Sequence, residues 1–383
     1  MMKKKFLIVA GEVSGDRHAA DLVTALKQRD PQIEFVGVGG DHLQKGGAKL
    51  LYHISQLAIL GFVEIIKHLP LIKRVFSSIK KEAMKGVDAA ILVDYPGFNL
   101  RLAKILKKQK IPVIYYICPQ MWAWGEDRIK KFQKFVDLPL VIFKFEEEFF
   151  NKHGLKAHFV GHPLLDQLPK DISEMEFREK HNIPSDKKIV GLFPGSREIE
   201  VNRILPVMAE SIKKLLKTIE IMPVIAKASH LERSLYDEVI ANNKEFRIID
   251  TDIHQLMQVS HVALVASGTA TLELAYLQTP SIVLYSVSPL TYWLGRKLIK
   301  IKNIALANIV MGKVVFPEFI QGEANTENVE KALRKLLIDE KHYEKTKAEL
   351  ASIKGLLGIP GATDRAADFI LNFINNRSLN TSV

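Results

Sequence analysis

Ser260-His-Val-Ala-Leu-Val-Ala-Ser-Gly-Thr-Ala-Thr-Leu-Glu-Leu-Ala-Tyr276 reads as a buried strand, a turn of small residues and the first turns of a helix. Val262 to Ala266 is a short apolar run of the kind a parallel sheet buries on both faces. Ser267, Gly268 and Thr269 make the turn, and their small side chains let a ligand come close to the backbone. The helix that follows, through Ala270 and Thr271, points free N–H groups and its positive dipole end at the turn, which makes an anion site. Glu273 sits in the first turn of that helix. A carboxylate there repels a phosphate, so it suits a sugar hydroxyl better. The stretch also reads as a plain strand–helix connection, with Glu273 a surface acid that complements the dipole.

Working outward, the chain has 383 residues, too many for one ordinary core, so two domains are expected. Apolar residues make up 47%, which points to folded domains rather than disorder. The net charge of +11 is spread along the chain and suits an anionic partner: nucleic acid, anionic lipid or a phosphorylated substrate. Cys118 is the one cysteine, which excludes an internal disulfide and a cysteine metal cluster. Met1 to Lys5 followed by Phe6-Leu-Ile-Val-Ala10 resembles a signal peptide in outline. Its apolar run is short and leads into a charged helix, so it reads as the first strand. No apolar run is long enough to span a bilayer, and a cytosolic protein, soluble or peripheral, is expected.

In the first half, the strand Phe6 to Ala10 runs into Gly11-Glu-Val-Ser-Gly15 and a helix over Asp16 to Lys27. The full glycine fingerprint of a dinucleotide site is missing. Glu12, Ser14, Asp16 and His18 give the turn a polarity that suits sugar hydroxyls, or else Ser14 or Asp16 simply caps the helix. Glu34 to Val38 is the second strand. Leu57 to Phe76 is rich in bulky apolar residues, among them Ile65, Ile66 and Leu69, interleaved with Lys67, His68, Lys73 and Arg74. It reads as an amphipathic helix packed on the sheet or as a surface for anionic headgroups. Ala89 to Val93 ends in Asp94, at the carboxyl end of a strand where ligands bind in parallel sheets. Pro96 and Gly97 then break the chain before a helix. Pro112 to Ile117 leads into Cys118-Pro-Gln-Met-Trp-Ala-Trp124, where Trp122 belongs either to a site or to a core staple. Leu138 to Phe143 precedes an acidic helix start at Glu146-Glu-Glu148, and Gly161-His-Pro163 marks the exit from a first domain, 1–165.

In the second half, Lys187 to Phe193 ends in Pro194-Gly-Ser-Arg-Glu198 and enters a helix running to about Thr218. Ser196 can cap that helix while its neighbouring N–H groups hold an anion, and Arg197 adds a fork of donors suited to phosphate. Asp250-Thr-Asp252 invites a metal, but Asp252 fits an N-cap for a short helix over Ile253 to Val259. No metal and no cofactor are expected. Ser288 to Lys300 reads as a basic amphipathic helix, and Asn308 and Phe316 to Glu323, including Gln321, read as loops returning to a cleft. The second domain is placed at 166–340. The helices of 341–383 are expected to pack on the first domain or on a partner subunit, which leaves a homodimer open.

Two strand–helix domains facing each other across a cleft form an α/β architecture similar to that of GT-B nucleotide-sugar glycosyltransferases, with two Rossmann-like domains. Ala10 to Asp16, Gly61-Phe-Val-Glu-Ile-Ile-Lys-His-Leu-Pro70 and Asp94-Tyr-Pro-Gly-Phe-Asn99 resemble the lipid-A-disaccharide synthase family. So do Pro119 to Trp124, Gly161-His-Pro163, Leu192-Phe-Pro-Gly-Ser-Arg197 and Ala266 to Glu273, all in one order from about 6 to about 330. Tyr95 and Gly97 depart from that family's pattern, where a small residue and an acid are expected.

The resemblance implies transfer of 2,3-diacylglucosamine from its UDP donor to 2,3-diacylglucosamine 1-phosphate. The product is a β-1,6-linked disaccharide 1-phosphate, formed by an inverting displacement at the cytoplasmic face of the inner membrane. Acyl-chain substrates tilt the Leu57-to-Phe76 segment towards membrane contact. The displacement needs one general base, expected to be Asp94, with Glu12 and His18 as alternatives. Arg197 and the two helix N-termini are expected to stabilise the leaving diphosphate. Glu273 is expected to hold the ribose, and Asn308, Gln321 and Glu323 to touch donor or acceptor. A UDP-sugar 2-epimerase of the same architecture is the nearest rival. The basic charge shows neither a clustered stripe nor a motif for nucleic acid, so no nucleic-acid partner is expected.

Overall fold

A computed structural model describes residues 4–56, 69–122, 129–168, 173–241, 243–288, 292 and 303–380. The chain divides into two compact units, one comprising 1–166 with 357–383 and the other 167–356.

The first unit holds a sheet of parallel strands in the order β3-β2-β1-β4-β5-β6-β7. The strands are β1 (Lys5–Ala10), β2 (Glu34–Gly39), β3 (Lys49–His53), β4 (Ala89–Val93), β5 (Val113–Tyr116), β6 (Leu138–Val141) and β7 (His158–Phe159). The pleat sends alternate side chains to opposite faces. Leu7, Val9, Ala90, Leu92, Val113 and Tyr115 join one apolar cluster. Phe6, Ile8, Ala10, Ala89, Ile91 and Val93 join the other. The inner strands β4 and β5, and β1 from Phe6 on, are therefore apolar throughout, because both faces are covered, and each large side chain so buried contributes about 1.5–3 kcal/mol.

The helix Leu69–Ala83 buries Val75, Ile79 and Ala83 in the first cluster, with Lys73, Arg74, Lys80 and Lys81 exposed on its other side. The helix Ala362–Asn380 closes the second cluster with Ala366, Ala367, Ile370 and Ile374. Its start is fixed by Asp166, whose carboxylate accepts from Gly361 N at 2.5 Å, Ala362 N at 3.3 Å and Thr363 N at 3.1 Å. Those are orphan donors of a helix N-terminus, satisfied by a residue far away in the chain. Glu340–Leu350, in contrast, lies within the second unit.

The second unit carries a parallel sheet ordered β10-β9-β8-β11-β12-β13. Its strands are β8 (Lys188–Phe193), β9 (Ile221–Ala226), β10 (Arg247–Ile249), β11 (Val262–Ala266), β12 (Ser281–Tyr285) and β13 (Glu318–Ile320). The run Val262 to Ala266 is buried throughout, between β8 and β12. Residues 316–323, expected as a loop, contain β13, a three-residue edge strand pairing with Val283 to Tyr285. The edge strands of the first sheet are β3 and β7. The helix expected over Ser288 to Lys300 lies almost wholly outside the described residues, as do Ile65, Ile66 and Trp124.

Candidate active site

Asp94 follows the last residue of β4, and its local chain path differs from the expected one. The break comes before Pro96, not after it: Asp94 and Tyr95 both sit in the left-handed region, at φ 45° and 49°. Pro96 then opens the helix Pro96–Lys108, where its fixed φ and missing N–H cost nothing. Two consecutive non-glycine residues in that region cost about 1–2 kcal/mol each. The surroundings hold them there. Asp94 N donates to Tyr116 O at 3.1 Å, and Asp94 O accepts from Tyr115 Oη at 2.6 Å and Asn99 Nδ2 at 2.8 Å. Burial, and then the negative charge of Glu12, push the Asp94 carboxyl up to about 6. Glu12 is exposed in the turn after β1, so the structure brings these two carboxylates near each other.

The other polar residues of that first turn have different uses. The helix starts at Val13 with Glu12 at the N-cap and no side-chain cap, so neither Ser14 nor Asp16 caps it. Ser14 is exposed. Asp16 is buried and accepts from Gly40 N at 2.5 Å, His42 N at 3.0 Å and Leu43 N at 3.2 Å, which ties the first helix to the turn after β2. His18 is held below its ordinary pKa by burial, against a smaller upward pull from Asp21, so it is neutral at pH 7. Its Nδ1 has no hydrogen-bond partner among the described residues.

Sequence reading missed Glu146. An acid in the first turn of a helix reads as a dipole complement, and the structure instead buries this one completely. Its carboxylate accepts from Trp122 Nε1 at 3.0 Å, Phe143 N at 3.2 Å and Ile142 N at 3.3 Å. Burial raises it to about 7 against those hydrogen bonds. Trp122 is half-buried and packs edge-on against Phe145, with centroids 5.0 Å apart. Glu146 reaches back to the N-cap N–H of Phe143, but phenylalanine offers no acceptor in return, so no capping-box signature stood in the sequence.

In the second unit the turn after β8 is already neutralised. Ser196 does not cap; Arg197 is the N-cap of the helix Glu198–Leu216. Glu200 Oε2 accepts from Ser196 N at 3.2 Å and Arg197 N at 3.3 Å, and Oε1 lies 3.3 Å from Arg197 Nη1. Gly195, at φ 110°, lets that carboxylate in: a Cβ there would lie 2.4 Å from Glu200 Oε2. The N–H groups expected to hold an anion are thus occupied by the chain's own acid. The Arg197 side chain stays 74% exposed, and its surface pair with Glu200 is worth at most about 1 kcal/mol, so it is free to exchange partners.

The turn after β11 has open space beside Gly268, where an added Cβ would meet nothing within 4 Å. Thr269 is exposed at the N-cap of Ala270–Tyr276, and Ala270 is half-buried. Ser267 Oγ donates to Ile304 O at 3.1 Å, and the buried Thr271 donates Oγ1 to Gly268 O at 2.8 Å, so these two hydroxyls shape the turn. Glu273 Oε2 lies 3.6 Å from His254 Nε2, a neighbour the sequence did not suggest.

Asn308 and Gln321 do not point their amides at a ligand. Asn308 is fully buried; its Nδ2 donates to Phe316 O and Glu318 Oε1, and its Oδ1 accepts from Val315 N and Phe316 N, all at 2.7–2.9 Å. Gln321 spends both ends of its amide on the Val287 backbone, at 2.7 and 3.0 Å. Both side chains are committed to the local fold. Asp252 occupies an N-cap position, but in the left-handed region, and its carboxylate goes to Lys180 at 2.6 Å and His181 at 3.0 Å instead of capping. Asp250 lies 3.5 Å from Lys227.

The sequence profile of the lipid-A-disaccharide synthetase family matches residues 6–361. A lipid-A-disaccharide synthase of Syntrophus aciditrophicus is 40% identical, with 98% of this chain and 99% of that one covered. The corresponding protein of Geobacter metallireducens is 37% identical, with 98% of each covered. Among solved structures, a UDP-GlcNAc 2-epimerase from Neisseria meningitidis bound to UDP-GlcNAc superposes with a TM-score of 0.66 at 16% identity, covering 96% of this chain and all of that one. The calicheamicin glycosyltransferase CalG4 gives 0.62 at 13%, covering 98% and 99%. At those identities the likeness concerns the fold, which is that of glycosyltransferases and sugar epimerases with two Rossmann-like units. The family match runs through both units and through the turns that carry Glu12, Asp94, Arg197 and Glu273, and on that ground the chain belongs to the lipid-A-disaccharide synthetase family.

Proposed function

We propose that this chain transfers 2,3-diacylglucosamine from UDP-2,3-diacylglucosamine to 2,3-diacylglucosamine 1-phosphate, giving the β-1,6-linked disaccharide 1-phosphate and UDP. The observation that carries the mechanism is Asp94, a carboxylate at the end of β4 whose burial and proximity to Glu12 raise it to about 6. A base poised near the working pH is partly ionised and still accepts a proton with driving force. The acceptor's 6-oxygen bonds to the anomeric carbon from the face opposite UDP. The bond from that carbon to the phosphate oxygen breaks, its electron pair leaves with UDP, and the hydroxyl proton passes to Asp94. Arg197 offers the diphosphate an exposed guanidinium that trades Glu200 for phosphate oxygens. Glu273 receives the ribose hydroxyls beside the open backbone at Gly268.

The acyl chains of the two proposed substrates support a peripheral position on the cytoplasmic face of an anionic membrane. Among the described residues no helix is long and apolar enough to cross a membrane. Val75, Ile79 and Ala83 of the helix Leu69–Ala83 are spent on the core, and its exposed Lys73, Arg74, Lys80 and Lys81 offer a screened attraction that salt weakens.

The test supplies both acyl substrates, with the acceptor radiolabelled, to the purified enzyme. Equal amounts of disaccharide 1-phosphate and UDP are expected, undiminished by excess chelator, because Asp250 and Asp252 already pair with lysines. Conversion of the donor to its C2 epimer without disaccharide would overturn the reading in favour of the epimerase.

A further inference from the structure

Tyr95 stands between Asp94 and the helix Pro96–Lys108, and the structure gives it a specific place. Its ring stacks on Phe98, with centroids 5.8 Å apart and planes 28° from parallel. Phe98 in turn stacks on Phe76 of the helix Leu69–Ala83 at 4.3 Å and 21°. On its other side the Tyr95 ring lies against the turn after β1: a Cβ on Gly11 would fall 2.1 Å from its Cδ1. Only a residue without a side chain fits beneath that ring. The neighbour of Gly11 is Glu12, and the neighbour of Tyr95 is Asp94. The left-handed backbone of Tyr95, tied down by Asn99 N and Phe98 N donating to its carbonyl at 3.0 and 3.3 Å, is what directs the ring there.

We propose that Tyr95 is a positioning residue for glycosyl transfer: wedged between Gly11 and Phe98, its ring clamps the Glu12 turn against the Asp94 turn and keeps water from the Asp94 carboxylate. This rests on Asp94 being the general base. Burial is the first cause of the raised Asp94 carboxyl and Glu12 the second, and Tyr95 is itself raised by the same two causes. The clamp governs both. The other titratable groups whose charges couple to Asp94 are Tyr115 and Cys118, from β5 and the residues after it, and Glu146, in the helix after β6. Tyr115 and Cys118 belong to the apolar cluster against which Tyr95 packs, so Tyr95→Phe, which keeps the ring, is the control for disturbance of that cluster.

The experiment compares Tyr95→Phe, Tyr95→Leu and Tyr95→Ala in turnover and in the pH profile of kcat/KM, with UDP binding by calorimetry as a check that each variant is folded. Tyr95→Phe keeps the ring and should stay within about twofold of the parent with the same acid limb. Tyr95→Ala and Tyr95→Leu should lose roughly tenfold in kcat and shift the acid limb downward by about one pH unit, as water and distance from Glu12 return Asp94 towards its ordinary range. Gly11→Ala displaces the ring from the other side and should move the limb the same way. An unmoved limb in the folded Ala, Leu and Gly11→Ala variants, or an equal loss in the Phe variant, would overturn the clamp. Failure of the base assignment reads differently: Asp94→Asn would then retain turnover, whatever the Tyr95 variants do.

Discussion

At the end of β4 a half-buried carboxylate is partly shielded from water and set near a second carboxylate, so that its charge is costly and its proton is held. At the end of β8 a carboxylate, Glu200, is laid across two backbone N–H groups beside an exposed arginine, where its charge is welcome. Each turn follows a buried parallel strand and precedes a helix. The difference lies in what the neighbours supply: apolar cover and a like charge in the first unit, donors and a cation in the second. The first arrangement suits moving a proton and the second suits exchanging one anion for another.

Substitutions that remove one property while keeping shape sharpen this contrast most. Asp94→Asn keeps the turn and removes the basicity, so turnover should fall by about a hundredfold or more with UDP binding intact. In the parent, kcat/KM should fall as pH drops through about 6, because the protonated Asp94 cannot accept the hydroxyl proton. Stability runs the other way. A carboxyl raised in the folded state contributes stability below its unfolded value of about 4, and that contribution is lost as pH rises through about 6. The Asn variant escapes this cost, so at pH 8 its Tm should match or exceed the parent's. Near-normal turnover in Asp94→Asn would move the base to Glu12 or His18.

Arg197→Ala attacks the other side of the comparison. Losing the guanidinium should cost roughly a hundredfold in turnover, since charge builds on the leaving diphosphate. A loss confined to KM would instead mean that Arg197 binds donor and transition state alike. Glu273→Gln should weaken UDP binding by about tenfold in calorimetry, the scale of a hydrogen bond to a charged acceptor; unchanged affinity would remove Glu273 from the ribose. The smallest effect is expected at Glu200→Gln. Relieving the anion site of its resident charge should tighten UDP by about two- to fivefold, the scale of a surface charge pair. Weaker binding in that variant would mean that Glu200 orders the turn more than it competes for it.

Much of this was legible in the chain itself, for a physical reason: parallel strands covered on both faces must be apolar at every position. Val262 to Ala266, Ala89 to Val93 and Phe6 to Ala10 each announced themselves in that way, and the turns after them carry residues proposed here to meet the substrates. The edge strands β3 and β13 were not legible, because they are short, partly exposed and mixed in polarity. Nor could sequence tell a polar residue offered to a ligand from one spent on the chain. Asp16, Asn308 and Gln321 carry the chemistry of binding residues, and their partners, Gly40, Phe316 and Val287, stand 8 to 34 residues away. Glu146 read only as part of an acidic helix start, and the fold buries it against Trp122 and the backbone after β6. Residue types fix what a side chain is able to do; which partners reach it, and how much water they displace, depends on contacts between distant segments that only the folded chain brings together.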